Sequence, residues 1–321
     1  MQGKELSPKI LDLITKLQEK HEGVGESLEA HLEGLLYSDY VNYWDYIGID
    51  ALLNLQKTKT KYPDEMVFII YHQITELFFK MILHEIEQIG FRENLEKTFF
   101  LNKMNRINAY YDHLLHSFNL LSIGLEAKQF MQFRTALTPA SGFQSIQYRL
   151  IEVWSTQFKN LLSEEDQQHV SDESDVEAMY ENIYWKKGAT VKNTAKKTLT
   201  LVQFEKKYSK LIVRKGKELA DRNILSRYFH LSEKGQKDEE IIAALKQFDQ
   251  HANINWPMAH YGYANKYLHK GEEVVASTGG TNWKHYLPPH FQRRMFYPTI
   301  WSEDEKANWG KDWVEETFLN K

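Results

Sequence analysis

The chain has 321 residues, 42% of them hydrophobic and 26% charged, with a formal net charge of −4. This length can bury a core around a sizeable ligand, whereas the near-neutral charge supplies no field for nucleic acid or an anionic membrane. Cysteine is absent, which excludes disulfides, zinc–thiolate sites, Fe–S clusters and thiolate-ligated or covalently attached haem, so a metal centre has to use His, Asp, Glu, Tyr or Met.

Aromatic residues make up 13% of the chain; they serve the walls of apolar ligand pockets as well as ordinary cores. A small-molecule partner is therefore favoured over nucleic acid. No run reaches the roughly 18 uncharged residues expected of a membrane span, and residues 1–20 lack the apolar stretch of a signal peptide. A cytoplasmic, membrane-free protein is expected.

Helical patterning runs from end to end, because period-2 segments and hairpin dipeptides are scarce. Residues 7–20 place Ile10, Leu11, Ile14 and Leu17 on one face behind Ser7-Pro8, an N-cap and first-turn proline. An acidic stretch, an aromatic irregular segment over 37–46 and a short helix near 50–56 follow. Residues 63–89 are apolar around most of the helical circumference, the pattern of a buried helix. Further helices are expected over 103–122, from about 126, and over 142–158. Residues 163–237 are more polar, with a lysine-rich stretch from Lys186 to Lys217 that reads as a solvated helical insertion. Residues 239–268 are helical again, with a break near Trp256-Pro257, and an aromatic, Pro-punctuated tail ends in a short helix. The fold class is all-α, a bundle-type domain carrying a helical insertion. Three parts are expected: an N-terminal arm over 1–60, a main helical domain over 61–160 and 239–321, and the insertion over 161–238.

Four features carry candidate chemistry. In the apolar run Phe68 to Lys80, His72 shares a helix face with Phe68 and Glu76 at i±4. It is either a neutral core imidazole, a site residue, or, with Glu76, His84 and Glu85, part of a carboxylate-bridged metal site. Arg134 follows Phe130 by four residues and is either a carboxylate clamp beside an aromatic wall or a surface ion-pair partner. His260 lies four residues after Trp256 in a Tyr-rich segment short of acids, suited to a neutral iron-binding imidazole. Ser277 to Thr281 form a Gly-Thr loop whose amides and hydroxyls can close over a charged head group.

In this order the pieces resemble the tryptophan 2,3-dioxygenase family. The matching motifs are Tyr43-Trp-Asp-Tyr46-Ile47, the run from Asp64 to Leu77, Phe133-Arg134 leading into Pro139-Ala-Ser-Gly-Phe-Gln144-Ser-Ile-Gln147-Tyr-Arg149-Leu150, Trp256-x-x-x-His260, and Thr278-Gly279-Gly280. The resemblance implies an all-helical haem b enzyme that opens the indole ring of L-tryptophan with O2, giving N-formylkynurenine. It further implies a homotetramer, a dimer of dimers, in which Tyr43, Tyr46 and Ile47 complete a neighbour's pocket. His260 would be the proximal iron ligand and His72 the distal histidine near the indole N–H. Phe68, Phe130 and Leu137 would pack on the substrate, Arg134 would hold its carboxylate, and Thr278 would sit beside its head group. Two departures stand out: the interval from His260 to Thr278 is longer than the family's, and Thr281-Asn282-Trp283 replaces its usual Ser-Ser-Gly. A related haem-dependent oxygenase or monooxygenase acting on another indole or phenol is the alternative these departures raise.

Overall fold

The structure is a computed structural model describing residues 6–23, 27–38, 42–170, 175–190, 196–233, 238–270, 273–274 and 293–311. The chain divides into two compact units, residues 1–57 and 58–321. In the first, α1 (Pro8–Glu22) starts as its sequence dictates: the Ser7 hydroxyl accepts from the Ile10 amide and Pro8 takes the first position, where its missing N–H is harmless. Helices α2 (Leu28–Tyr37), α3 (Tyr43–Ile47) and α4 (Ile49–Leu52) follow. Gly48 joins the last two with φ of 67°, a left-handed conformation that glycine adopts without steric cost.

The second unit is built on α5 (Asp64–Phe91), which packs against α6 (Lys97–Gly124), α8 (Ile146–Ser155) and α13 (Ile224–Glu233). Its first turn is fixed by Glu65, fully buried, whose carboxylate accepts from the Lys59 amide at 2.6 Å and the Thr60 amide at 2.7 Å. α5 is not buried on all sides, as its composition had suggested. Met66, Val67, Ile70, Ile74, Leu77 and Met81 form an i, i+3/i+4 stripe along it, and each is at least 36% exposed. By length and composition this helix is also apolar enough to cross a membrane, and its buried positions, Phe79, Ile82, Ile86 and Ile89, belong to the main core.

That core extends across the polar middle of the sequence. Trp185 on α11 (Tyr184–Gly188), with Leu201 and Phe204 on α12 (Leu199–Glu218), is as buried as the centre of α5. The lysine-rich stretch is largely paired: Lys186 and Lys197 both reach Glu205 at 2.8 Å, Lys187 reaches Asp166 at 2.6 Å and Lys217 reaches Asp175 at 3.2 Å. Among the described residues, strand structure is limited to a two-residue antiparallel ribbon, His269–Lys270 with Glu273–Val274.

Close helix packing depends on two glycines, Gly90 and Gly216; a Cβ built on Gly216 lies 2.7 Å from both the Phe158 ring and the Val176 side chain. A Cβ built on Gly90 lies 2.4 Å from the Trp154 ring and 2.8 Å from the Arg222 carbonyl. Backbone cannot yield as a flexible side chain does, so Gly90→Ala is expected to destabilise the fold by about 2–3 kcal/mol in denaturant titration.

Candidate active site

Two faces meet around the candidate residues, one on α5 and one on α15 (Trp256–Leu268). On α5, Phe68 and His72 lie one turn apart with ring centroids 4.1 Å from each other. The Nδ1 of His72 is 2.7 Å from the Phe68 carbonyl oxygen. A carbonyl only accepts, so Nδ1 carries the proton and Nε2 is left with its lone pair as an acceptor. Glu76, the next residue on this face, is held by α8: the Gln147 amide nitrogen donates to its carboxylate at 2.8 Å and to its backbone carbonyl at 2.7 Å.

His72 departs from its expected burial. Desolvation lowers its pKa, outweighing the Phe68 carbonyl and the Glu76 charge, yet more than a third of its surface is open. A side chain deep enough to be desolvated and still accessible lines a concavity, and such positions are where ligands bind.

On the other face, His260 is half-buried, with the Trp256 and Phe118 rings at 5.1 and 5.2 Å. Burial lowers its pKa to about 4, and proximity to His72 adds to the shift. A Cβ built on Gly142 would lie 3.9 Å from His260 Nε2, so the backbone approaches this nitrogen with no side chain between them. The loop carrying Gly142 is braced from both ends. Ser141 and Gln144 form a reciprocal capping box, the Thr200 hydroxyl donates to the Pro139 carbonyl at 2.7 Å, and the Gln144 amide donates back to the Thr200 carbonyl at 3.2 Å.

Both imidazoles are therefore neutral in the fold, and the sign of the linkage follows. Unfolding restores an ordinary pKa near 6.5, so the unfolded chain takes up protons that the folded one does not, and stability falls as pH drops from 6.5 towards 4. His260 alone accounts for roughly 2 kcal/mol of this, after allowing for its partial exposure. The burial-raised pKa of Asp249, about 6, acts in the opposite direction, so the comparison has to be made against a variant. Between pH 7 and pH 4.5 the stability of the haem-free wild type should fall by about that much more than that of His260→Gln in urea titration.

A separate aromatic cluster adjoins α5. Tyr71, Leu121, Leu125, Phe133 and Tyr267 are buried in it, with Phe68, Phe130 and Leu137 packed against them. Phe130 lies 6.0 Å from Phe68 and 5.6 Å from Tyr267, on α7 (Ala127–Phe133). Arg134 falls just past the end of α7, in a 3-10 turn over Arg134–Leu137 rather than on a continuing helix. It is 7% exposed, which rules out the surface ion-pair reading, and burial lowers its pKa. Thr278 and the loop from Ser277 to Thr281 lie outside the described residues. Tyr43, Tyr46 and Ile47 belong to the first unit, all on α3, and are 70%, 79% and 46% exposed. No group of three or more metal-binding side chains occurs among the described residues, so the carboxylate-bridged reading of His72 and Glu76 finds no further ligands.

The profile of the family described as Tryptophan 2,3-dioxygenase matches residues 27–276. The chain belongs to the tryptophan 2,3-dioxygenase family. Among curated tryptophan 2,3-dioxygenases it is 42% identical to that of Ruegeria sp. (strain TM1040) over 119 residues, covering 36% of this chain and 42% of that one. It is 38% identical to that of Geobacillus thermodenitrificans (strain NG80-2) over 130 residues, 39% of this chain and 45% of the relative. For Bacillus anthracis the figures are 37% over 134 residues, 40% and 47%. The chain thus spans somewhat less than half the length of the curated relatives it matches.

The family is haem-dependent, and the residues on the α15 face suit that group. His260 is a neutral imidazole with no hydrogen bond to another described residue, walled by aromatic rings, with its Nε2 next to a glycine instead of a side chain. Iron needs the imidazole unprotonated, and a porphyrin face needs apolar walls and close approach of backbone. Three contributors carry no charge or reactive group that would mark them in the sequence: Gly142, Phe118 and Tyr267. Gln147, which fixes Glu76, falls inside the motif block from Pro139 to Leu150, but its partner cannot be known without the fold.

Proposed function

We propose that the chain is a haem b-dependent dioxygenase that opens the indole ring of L-tryptophan, inserting both atoms of O2 across the C2–C3 bond to give N-formylkynurenine. The observation that carries this reading is the proximity of His72 and His260, both neutral, the first offering an Nε2 acceptor and the second placing its Nε2 beside Gly142. His260 holds the iron. Ferrous haem, when bound, supplies the activation of O2 that no side chain can provide.

The chain's own residues bind and orient. The indole N–H donates to His72 Nε2, whose tautomer is fixed by the Phe68 carbonyl. That contact sets which edge of the indole faces the oxygen; it positions, and it needs no net proton removal. Phe68, Phe130 and Leu137 pack on the ring, Arg134 pairs with the carboxylate, and Thr278 contacts the head group. Tyr43, Tyr46 and Ile47, exposed in their own unit, close the pocket of a neighbouring subunit in a homotetramer, and the working compartment is the cytoplasm.

Product analysis tests the reading. Incubated with L-tryptophan and O2, the reconstituted protein should yield a ring-opened product carrying both oxygen atoms; a singly oxygenated product would move the assignment to a related monooxygenase. His72→Ser should lower kcat by about 10- to 100-fold without abolishing it, as expected for loss of one orienting hydrogen bond. Complete inactivity at full haem loading would instead make His72 an obligatory base.

A further inference from the structure

His260 is aimed by an irregular turn. α14 (Glu239–Gln250) and α15 would form one helix but for a single π turn over His251–Asn255, in which an extra residue is accommodated between them. Each residue turns an α-helix by about 100°, so how this turn is settled decides which way every later side chain points, His260 included. A π turn is poor in intrinsic stability and persists where its surroundings hold it. Trp256 donates its N–H five residues back, to the His251 carbonyl, whereas Pro257 has no N–H to give to the Ala252 carbonyl next in that pattern. The Ala252 carbonyl accepts instead from the Tyr148 hydroxyl at 2.6 Å.

What selects the π arrangement is Asp249, fully buried in the last turn of α14. Its Oδ1 accepts from the Asn253 side chain, in the middle of the π turn, at 2.7 Å and from the Phe296 amide at 2.9 Å. Its Oδ2 accepts from the Tyr297 amide at 3.1 Å and from the Trp301 indole at 2.9 Å. Four donors from the turn and from a segment some fifty residues on converge on one carboxylate, which ties the turn to a fixed support. A buried carboxylate persists only where such donors repay its desolvation. We propose that Asp249 is a positioning residue for His260, holding through Asn253 the π turn that directs the imidazole towards Gly142. The proposal rests on the reading of His260 as the iron ligand.

The test uses the haem-reconstituted full chain and needs no turnover. Asp249→Asn places an amide N–H against donors, and Asn253→Ala cuts the link to the turn while leaving the other three bonds to Asp249. Both should shift the ferric absorption spectrum away from imidazole ligation and release haem to apomyoglobin about tenfold faster or more, the usual cost of losing a group that orients a metal ligand. Glu85→Gln is the control for plain destabilisation, since Glu85 is an equally buried acid paired with Lys103 at 2.8 Å between α5 and α6. It should lower the Tm without changing the spectrum. If Asp249→Asn fails to fold, Asn253→Ala decides alone. A wild-type spectrum and haem-release rate in folded Asn253→Ala overturns the proposal, as does a spectral change in Glu85→Gln of equal size. A wild-type spectrum in His260→Ala overturns the ligand reading itself, a separate result.

Discussion

His260→Ala will leave a folded protein that no longer holds haem in its native ligation, and of all single changes this should have the largest effect. In the wild type, reconstitution should give the intense absorption band of a ligated haem. In the variant the band should weaken and shift, with activity down by at least about a thousandfold, because removing the axial ligand removes both anchorage and the electronic tuning of the iron. Free imidazole added to the variant should restore part of the spectrum, since the side chain leaves a space walled by Trp256 and Phe118. The fold should survive: His260 makes no hydrogen bond to another described residue and is only half-buried, and at neutral pH its loss costs the packing of one ring. A variant that keeps the wild-type spectrum and activity would refute the assignment of this histidine. A colourless wild type from cells well supplied with haem precursor would refute the haem class as a whole.

Local features of the fold were legible in the sequence and distant ones were not. Ser7-Pro8 announces the start of α1, and the actual cap uses that hydroxyl, because capping involves only residues three apart. The long apolar run gives α5, found over Asp64–Phe91, since periodicity reports an element's existence well. It does not report what covers each face, so a helix read as buried all round keeps a stripe open. The expected helix over 142–158 is interrupted: Gly142–Gln144 is a 3-10 turn and α8 covers only Ile146–Ser155, because the Ser141–Gln144 capping box and the contacts of Thr200, on a distant helix, hold that loop. The break expected at Trp256-Pro257 takes the form of a π turn just before it, chosen by Asp249 through partners at 296, 297 and 301. In the same way, His72 and Arg134 stand out in the sequence by residue type, whereas Gly142 matters only because His260 is opposite it.

Arg134→Ala should raise KM for L-tryptophan by roughly a hundredfold while haem content and spectrum stay as in the wild type. Arg134 sits just past the end of α7 with little exposure, where water competes less for a carboxylate than it does at the surface. A charge-assisted bidentate pair in such a place contributes about 2–3 kcal/mol, which corresponds to that change in affinity. Arg134→Lys should recover only part of it, because an ammonium cannot match both carboxylate oxygens at once. The substrate itself provides the sharpest control. Tryptamine lacks the carboxylate, so it should be a poor substrate for the wild type and should lose little further in Arg134→Ala, whereas L-tryptophan loses the full factor. If both substrates decline equally, Arg134 supports the pocket's shape without touching the carboxylate; if haem is lost along with substrate affinity, its role lies on the cofactor side. The same pair of substrates also probes the departure after Thr278. A chain whose head-group loop differs from its family can still depend on Arg134 for the carboxylate, so a large ratio between L-tryptophan and tryptamine locates amino-acid specificity on α7 and its following turn.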